Sequence, residues 1–375
     1  MLKSGETFPE LHFAEWQPHE YGVLSKPNIE KLRKEELKEE LEEDFELFST
    51  YYNINSFGLW ENNHYVLIRS KSDPEVCAAF GISNQELQNK KEAWRKALLS
   101  YRNKRDKPRL DDKILTSWNG LMLKGYVDAY KAFQEPAYLQ AALKNAHFIK
   151  SKQWQTSGAL FHSHKDGKST INGYLEDYAA VIDAFIGLYE ITLDDQWLLI
   201  ANELTSYTYG HFFDSEKQLF YFTNDQDPSL ITRSFEYRDN VIPASNSMMA
   251  KNLYVLSHHF DNQTYGATAS QMLKNVLPEI EKYPSGFSNW LDLLANFQNS
   301  FYEIVVVGED AQQKVKEIHQ YYLPNKLVAG STKAGNSPLL EQRFIENETF
   351  VYVCVNNACK MPETEVSKAI DLIEL

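Results

Sequence analysis

Three segments of this chain repeat one layout, two amphipathic helical patterns joined by a short turn, and that repetition restricts the fold to stacked helical hairpins. The first runs from Trp118 through Leu121, Met122, Gly125, Ala129 and Phe133, turns at Glu135-Pro136, and returns through Tyr138, Leu139, Ala142, Leu143, Ala146 and Ile149. Apolar residues at helical spacing give each helix one side to bury. The second runs from Tyr178 through Ile182, Phe185, Ile186 and Tyr189, turns at Asp194-Asp195, and returns through Trp197, Leu198, Ala201 and Leu204. The third runs from Met248 to Phe260, turns at Asp261-Asn262, and returns from Tyr265 through Ala269, Met272 and Leu273. Each returning helix opens on an aromatic followed by small residues, which lets neighbouring helices approach closely in a stacked ring. The expected fold is mainly α, an (α/α) toroid of helical hairpins over residues 1–300.

After each of the first two hairpins comes an extended piece, Ser157 to Ser163 and Glu216 to Phe222, and then a longer loop. All these loops leave from one end of the hairpins, the end where a toroid has its mouth and takes ligands. Upstream, Glu30 to Phe48 reads as a charged surface helix with one apolar stripe, and Asn84 to Arg102 as a second helix. From Phe301 the texture changes. Tyr302 to Val307, Lys326 to Ala329 and Thr349 to Val355 are strand candidates, with a helix-like stretch reaching Tyr322, so residues 301–375 read as a small α/β tail packed on the helical domain.

A content of 43% hydrophobic and 24% charged residues is that of a globular chain. With 38 basic against 52 acidic side chains, the net charge of −14 and the lack of a Lys/Arg cluster argue against nucleic acid as a partner. The apolar runs fall well short of the roughly 20 residues that span a bilayer, so no membrane partner is expected either. Three cysteines, Cys77, Cys354 and Cys359, make no disulfide framework, and the expected compartment is the reducing cytoplasm. Cys354 and Cys359 are spaced C-x4-C, which is no C-x-x-C redox pair, and are expected as buried thiols, with mutual packing or an occasional disulfide as the alternative. The chain has no G-x-G-x-x-G, P-loop, G-x-S-x-G or H-E-x-x-H motif, so no cofactor is expected.

Chemistry is expected at the starts of the first helices of the three hairpins. In Asp111 to Leu121 (DDKILTSWNGL), Asp111 and Asp112 precede a helix carrying Trp118 and Asn119. Acids there can simply cap the helix, or can serve with the indole at the mouth as a polar, flat-faced ligand site. In Gly173 to Ala180 (GYLEDYAA), Glu176 and Asp177 precede an apolar stripe beginning at Tyr178. Carboxylates from two hairpins would supply the acid and the base or nucleophile of glycoside hydrolysis. Asp112, Glu176 and Asp177 are therefore the acid/base candidates, and Tyr178 joins Trp118 as stacking surface. In Tyr237 to Ser247 (YRDNVIPASNS), Arg238, Asp239 and Asn246 are candidates for the same mouth, beside the plainer reading that they shape a helix entrance. His162 and His164 alternate along an extended piece and could share a face. With no third ligand at a recognisable spacing, no metal is expected, and either histidine is an alternative proton carrier in the manner of a sugar epimerase. His258-His259 reads as a charge partner for a helix C-terminus.

Taken in order, DDKILTSWNGL, GYLEDYAA, the PASNS run at Pro243, EIVVVG at Glu303 and YVCVNNAC at Tyr352 resemble the YyaL-like, spermatogenesis-associated family of thioredoxin-domain proteins. The resemblance covers roughly Phe45 to Pro362. It implies a six-hairpin toroid like that of six-hairpin glycosidases and N-acylglucosamine 2-epimerases, and it fixes the fold better than the reaction. The carbohydrate ligand is expected from the clustering of polar residues at one end of the three hairpins. This sequence has no thioredoxin-like part and no C-x-x-C, so a redox role of that kind does not carry over. Where the family shows P-S-G-N-S, this chain has Pro243-Ala244-Ser245-Asn246-Ser247, without the glycine, which puts the ligand geometry there in doubt. The family's first hairpins are also missing. An incomplete ring leaves apolar faces open, and the expected alternative to an enzyme is a binding or scaffold module that self-associates or is completed by a partner chain.

Overall fold

A computed structural model of the chain describes residues 32–60, 63–105, 111–228 and 232–374. The chain forms two compact units that divide between Asp112 and Lys113, so the stretch expected as one helical domain is parted there.

In the first unit, strands β1 (Leu32–Arg33) and β2 (His64–Tyr65) pair antiparallel. Helices α1 (Lys34–Leu41), α2 (Phe45–Tyr51), α3 (Asp73–Phe80) and α4 (Asn84–Asn103) close over Leu37, Phe48, Tyr51, Val76, Leu87 and Trp94. The helix expected over Glu30 to Phe48 is broken, and its first two residues lie outside the described ones. Glu42 turns to a positive φ of 42° and a 3-10 turn spans Glu42–Asp44. There the Asp44 carboxylate accepts from the Trp94 indole at 2.9 Å and pairs with Lys90, contacts that a continuous helix of acidic residues would forgo.

The second unit holds the hairpins. They are α5 (Thr116–Phe133) with α6 (Pro136–Phe148), α7 (Leu175–Thr192) with α8 (Asp195–His211), and α9 (Ser245–Phe260) with α10 (Gln263–Ile280). A further helix, α11 (Ser288–Gln298), packs on α9. Helices α5, α7, α9 and α11 lie side by side as an inner row, and α6, α8 and α10 each pack on the inner helix before them. This is the layering of an (α/α) toroid. Fourteen of the 18 residues of α7 are buried, so its sequence is apolar nearly all round and it sits at the centre of the row. Gly120 sets how closely α5 approaches α7. A Cβ there would lie 2.8 Å from the Ala180 carbonyl carbon and 2.9 Å from its Cβ.

At the N-terminal ends of the inner helices lies a small antiparallel sheet of β3 (Ile114–Leu115), β4 (Phe161–Lys165) and β5 (Lys168–Asn172). Strands β6 (Phe213–Asp214) and β7 (Leu219–Phe220) form a second, two-stranded one. After residue 300 come β8 (Tyr302–Val307), α12 (Ala311–Ile318), β9 (Lys326–Ser331), β10 (Phe350–Val355), β11 (Ala358–Cys359) and α13 (Val366–Ile370), within the same compact unit as the hairpins. The sheet order is β11-β10-β8-β9, with β8 and β9 parallel. Val305 and Val307 face the hairpin core while Ile304 and Val306 face the core under α12 and α13, which explains an unbroken apolar run in β8.

Two expectations are corrected here. Cys354 and Cys359 are joined by a disulfide rather than being buried thiols, because the β10–β11 register places them opposite each other. His258 and His259 part company. His258 Nδ1 bonds Glu303 Oε1 at 2.7 Å, but His259 is fully buried and burial pushes its pKa down to about 4, so it is neutral and no charge partner for the helix end. No helix among the described residues is long and apolar enough to cross a membrane.

Candidate active site

Two inner helices begin at one carboxylate. Asp177 lies in the first turn of α7 and is fully buried. Its Oδ1 accepts the backbone N–H of Ser117, in the first turn of α5, at 2.7 Å. Its Oδ2 accepts the N–H of Tyr174, the residue before α7, at 2.9 Å. The close passage at Gly120, one turn along from Ser117, makes this bridge possible. Helix α5 has no side-chain cap of its own, and the carboxylate from α7 answers one of its free N–H groups. Asp111 and Asp112, expected as cap or site residues, are exposed and belong to the first unit, and β3 intervenes before α5 starts.

The same Asp177 Oδ2 lies 2.9 Å from His162 Nδ1 on β4. An ionised carboxylate oxygen can only accept, so the imidazole donates from Nδ1, and in the neutral ring Nε2 is the nitrogen without a proton. The hydrogen bond to Asp177 raises the His162 pKa, against the effect of burial. Burial raises the Asp177 pKa, and the His162 and backbone donors, which favour the ionised carboxylate, oppose it. Glu176, the adjacent residue, is half-buried, and its carboxyl is raised first by burial and then by the charges of Asp177 and Glu236. Glu236 was not among the residues expected from the sequence. It lies in the loop before α9, where its Oε2 accepts the Ser245 N–H at 3.1 Å, and the only sequence signal was an acid just ahead of the YRDNVIPASNS run. The Tyr174 ring lies 4.8 Å from the His162 ring and stacks on Phe222 at 5.2 Å.

His162, Glu176 and Asp177 each offer a ligand atom within 4.8 Å of the others, so the third group that the sequence spacing lacked comes from α7. The donor set suits a proton better than a cation. Asp177 already receives three N–H donors, and a metal on it would displace the His162 bond that orients the ring.

Other expected residues stand elsewhere. His164, two residues along β4, bonds Ser169 Oγ at 2.9 Å and meets the Phe148 ring, outside the carboxylate cluster. Tyr178 is fully buried, accepts the Leu160 N–H at 2.8 Å and stacks on Tyr207, so it is core and no ligand platform. Arg238 pairs with Glu279 of α10 at 2.6 Å. Asp239 accepts from Ala244 N at 2.9 Å, Ser247 Oγ at 2.7 Å and Asn289 N at 2.9 Å, bridging the starts of α9 and α11 much as Asp177 bridges α5 and α7. Asn246 is buried and bonds both backbone groups of Phe220. Asn119 Nδ2 donates to Leu115 O at 2.8 Å within its own turn. Trp118, 55% exposed, is the open aromatic at the start of α5.

No family model matches the chain. Over 312 residues it is 27% identical to human spermatogenesis-associated protein 20, a match covering 77% of this chain and 40% of that protein. The chain resembles spermatogenesis-associated protein 20. That is the resemblance carried by the five motifs, and it extends to an uncharacterized Caenorhabditis elegans protein, 26% identical over 326 residues, 83% of this chain and 44% of the other. The chain thus spans about two fifths of the length of spermatogenesis-associated protein 20. Among solved structures it is similar to a GH76 alpha-mannanase of Bacteroides thetaiotaomicron, with 17% identity, 60% of this chain and 64% of that one covered, and a TM-score of 0.41. It is also similar to a cellobiose 2-epimerase of Bacillus thermoamylovorans, with 14% identity, 43% and 44% covered, and a TM-score of 0.38.

Proposed function

We propose that the second unit is a carbohydrate-acting acid/base catalyst, with Glu176 as the proton donor and His162, oriented by Asp177, as the base. The observation that carries this reading is the pairing of unlike groups. A carboxyl whose pKa burial raises offers an oxygen within 4.8 Å of a ring nitrogen of an imidazole whose Nδ1–H is tied to a buried carboxylate. Such a pair puts a group that can give a proton and a group that can take one within reach of the same ligand. With Nε2 free of that bond, His162 can take a proton from a carbon next to a sugar carbonyl while Glu176 protonates the carbonyl oxygen, which gives an enediol. A proton returned from solvent to the opposite face of that carbon, with Glu176 taking back the oxygen-bound proton, completes the epimerisation. Trp118 and Tyr174 offer flat apolar faces for the pyranose ring. The sugar class rests on this mixture of carboxylates and aromatic faces at the helix starts.

Glu236 favours one second reading. Its charge acts on Glu176, so the two acids can be paired for glycoside hydrolysis, with Glu176 protonating the leaving oxygen and Glu236 as base or nucleophile. A thermal-shift screen of mono- and oligosaccharides, followed by NMR of each stabilising sugar in D2O, separates the two. Solvent deuterium entering at the carbon beside the carbonyl marks the epimerase, and release of a new reducing end marks the hydrolase. If a cooperatively melting chain gains no stability from any sugar, both readings fall and the binding or scaffold alternative stands.

A further inference from the structure

Cys354 and Cys359 face each other across the β10–β11 hairpin, and one cation reaches both sulfurs. Arg343 Nη1 lies 3.5 Å from Cys354 Sγ and Nη2 lies 3.3 Å from Cys359 Sγ. We propose that this pair is a reversible thiol–disulfide exchange centre whose reaction partner is a small thiol or dithiol and whose thiolates Arg343 stabilises.

Accessibility sets the direction of attack. Cys359 is exposed while Cys354 is 1% exposed, so an incoming thiolate reaches Cys359 Sγ first. Attack forms a mixed disulfide on Cys359, breaks the Cys354–Cys359 bond and releases Cys354 as a thiolate beside the Arg343 guanidinium. The second thiolate of a dithiol, or a second monothiol, then attacks the partner's sulfur in that mixed disulfide and releases Cys359. The partner is oxidised by two electrons to its own disulfide. The pair is reduced by the same two electrons and takes up protons as its thiolates equilibrate with solvent.

The cation is built in rather than incidental. The Arg343 guanidinium lies 5.0 Å from the Tyr352 ring centre, and Tyr352 Oη donates to the Arg343 carbonyl at 3.2 Å. A positive group held against two sulfurs lowers thiol pKa values and makes each sulfur a better leaving group. The hairpin also holds its shape without the S–S bond. Asn356 and Asn357 both take positive φ, 50° and 63°, as a two-residue turn of this hand requires. Val355 pairs with Ala358, Lys360 N donates to Val353 O at 3.0 Å, and Asn357 N donates to the buried Glu303 at 3.1 Å. The reduced thiols therefore stay opposite each other and can close again.

The test treats the oxidised full-length chain with dithiothreitol or reduced glutathione in native buffer, quenches with N-ethylmaleimide and reads each cysteine by peptide mass spectrometry. Dithiothreitol is expected to open the pair with the far-UV circular dichroism spectrum unchanged. In Cys354→Ser, oxidised glutathione is expected to form a mixed disulfide on Cys359. Arg343→Gln is expected to slow opening severalfold, because the leaving thiol loses its cationic partner and a thiol of higher pKa leaves more slowly, with Arg343→Lys in between. A pair that opens only in denaturant overturns the proposal, and that arm needs no variant to fold. Opening of Arg343→Gln at the wild-type rate, with a wild-type thiol titration, overturns the role of Arg343.

Discussion

Asp177 accepts the Nδ1–H of His162 on the same oxygen that accepts the backbone N–H of Tyr174, while its other oxygen holds the N–H of Ser117. One buried carboxylate thus ties β4, α5 and α7 together and fixes the tautomer of the histidine. Structure and chemistry meet at this atom group, so substitutions around it separate stability from activity.

Glu176→Gln keeps the size and half-burial of the side chain but removes its proton. Turnover of any sugar identified in the screen is expected to fall by about a hundredfold or more, the usual contribution of a general acid. The melting temperature should stay near that of the parent or rise, since Glu176 is held above its ordinary pKa and its charged form is disfavoured in the fold. Steady-state rates and calorimetry on the same preparation read both effects, and unchanged turnover would remove Glu176 from the mechanism.

Asp177→Asn keeps the volume and turns one acceptor oxygen into a donor, which faces either Ser117 N–H or the Tyr174 and His162 donors. A loss of about 2–4 kcal/mol is expected from an unmatched buried polar contact and a weakened helix start. The His162 pKa should fall because the hydrogen bond to Asp177 is what holds it up. Urea denaturation measures the first, and NMR titration of the His162 ring the second.

The pH dependence of His162→Gln has a definite sign. In the folded chain the His162 pKa lies above the ordinary value of 6.5, so folding favours the protonated ring. Its stabilising effect is complete below 6.5 and is lost as the pH rises through the folded value. The cost of the substitution should therefore be largest in mildly acidic buffer and shrink in alkaline buffer. A cost that grows with pH would mean that burial, not Asp177, dominates the ring.

Gly120→Ala tests the close passage of α5 and α7. The added Cβ would meet Ala180 at 2.8–2.9 Å, with backbone on one side, so the helices must part. A loss of about 1–3 kcal/mol is expected for this kind of overpacking. Because Ser117 and Asp177 sit one turn further along the same two helices, activity should fall more than stability alone explains. Gly125→Ala is the control, since a Cβ there meets nothing within 4 Å.

Local periodicity was enough to read the hairpins. Helices α5, α6, α7 and α9 begin and end within a few residues of their apolar patterns, α8 and α10 run on past theirs to His211 and Ile280, and Tyr302 to Val307 forms β8 throughout, because burial of one face or of both is written in which residues are apolar. The acids at helix starts were legible as a class for the same reason, since free N–H groups call for acceptors. Which helix each acid serves was decided only by tertiary structure. Asp177 answers α5 as well as α7 because Gly120 lets two helices meet whose starts are 60 residues apart in the chain at that contact. The same holds for His162 and His164, alike in sequence and spacing, of which only His162 meets the carboxylates. Tyr178 looked like a ligand platform until the packing of α8 covered it, and whether Cys354 and Cys359 stay thiols or pair was decided by the register of a two-residue turn that sets them face to face. Those outcomes depend on how helices pack and strands register against one another, which residue type and spacing do not encode.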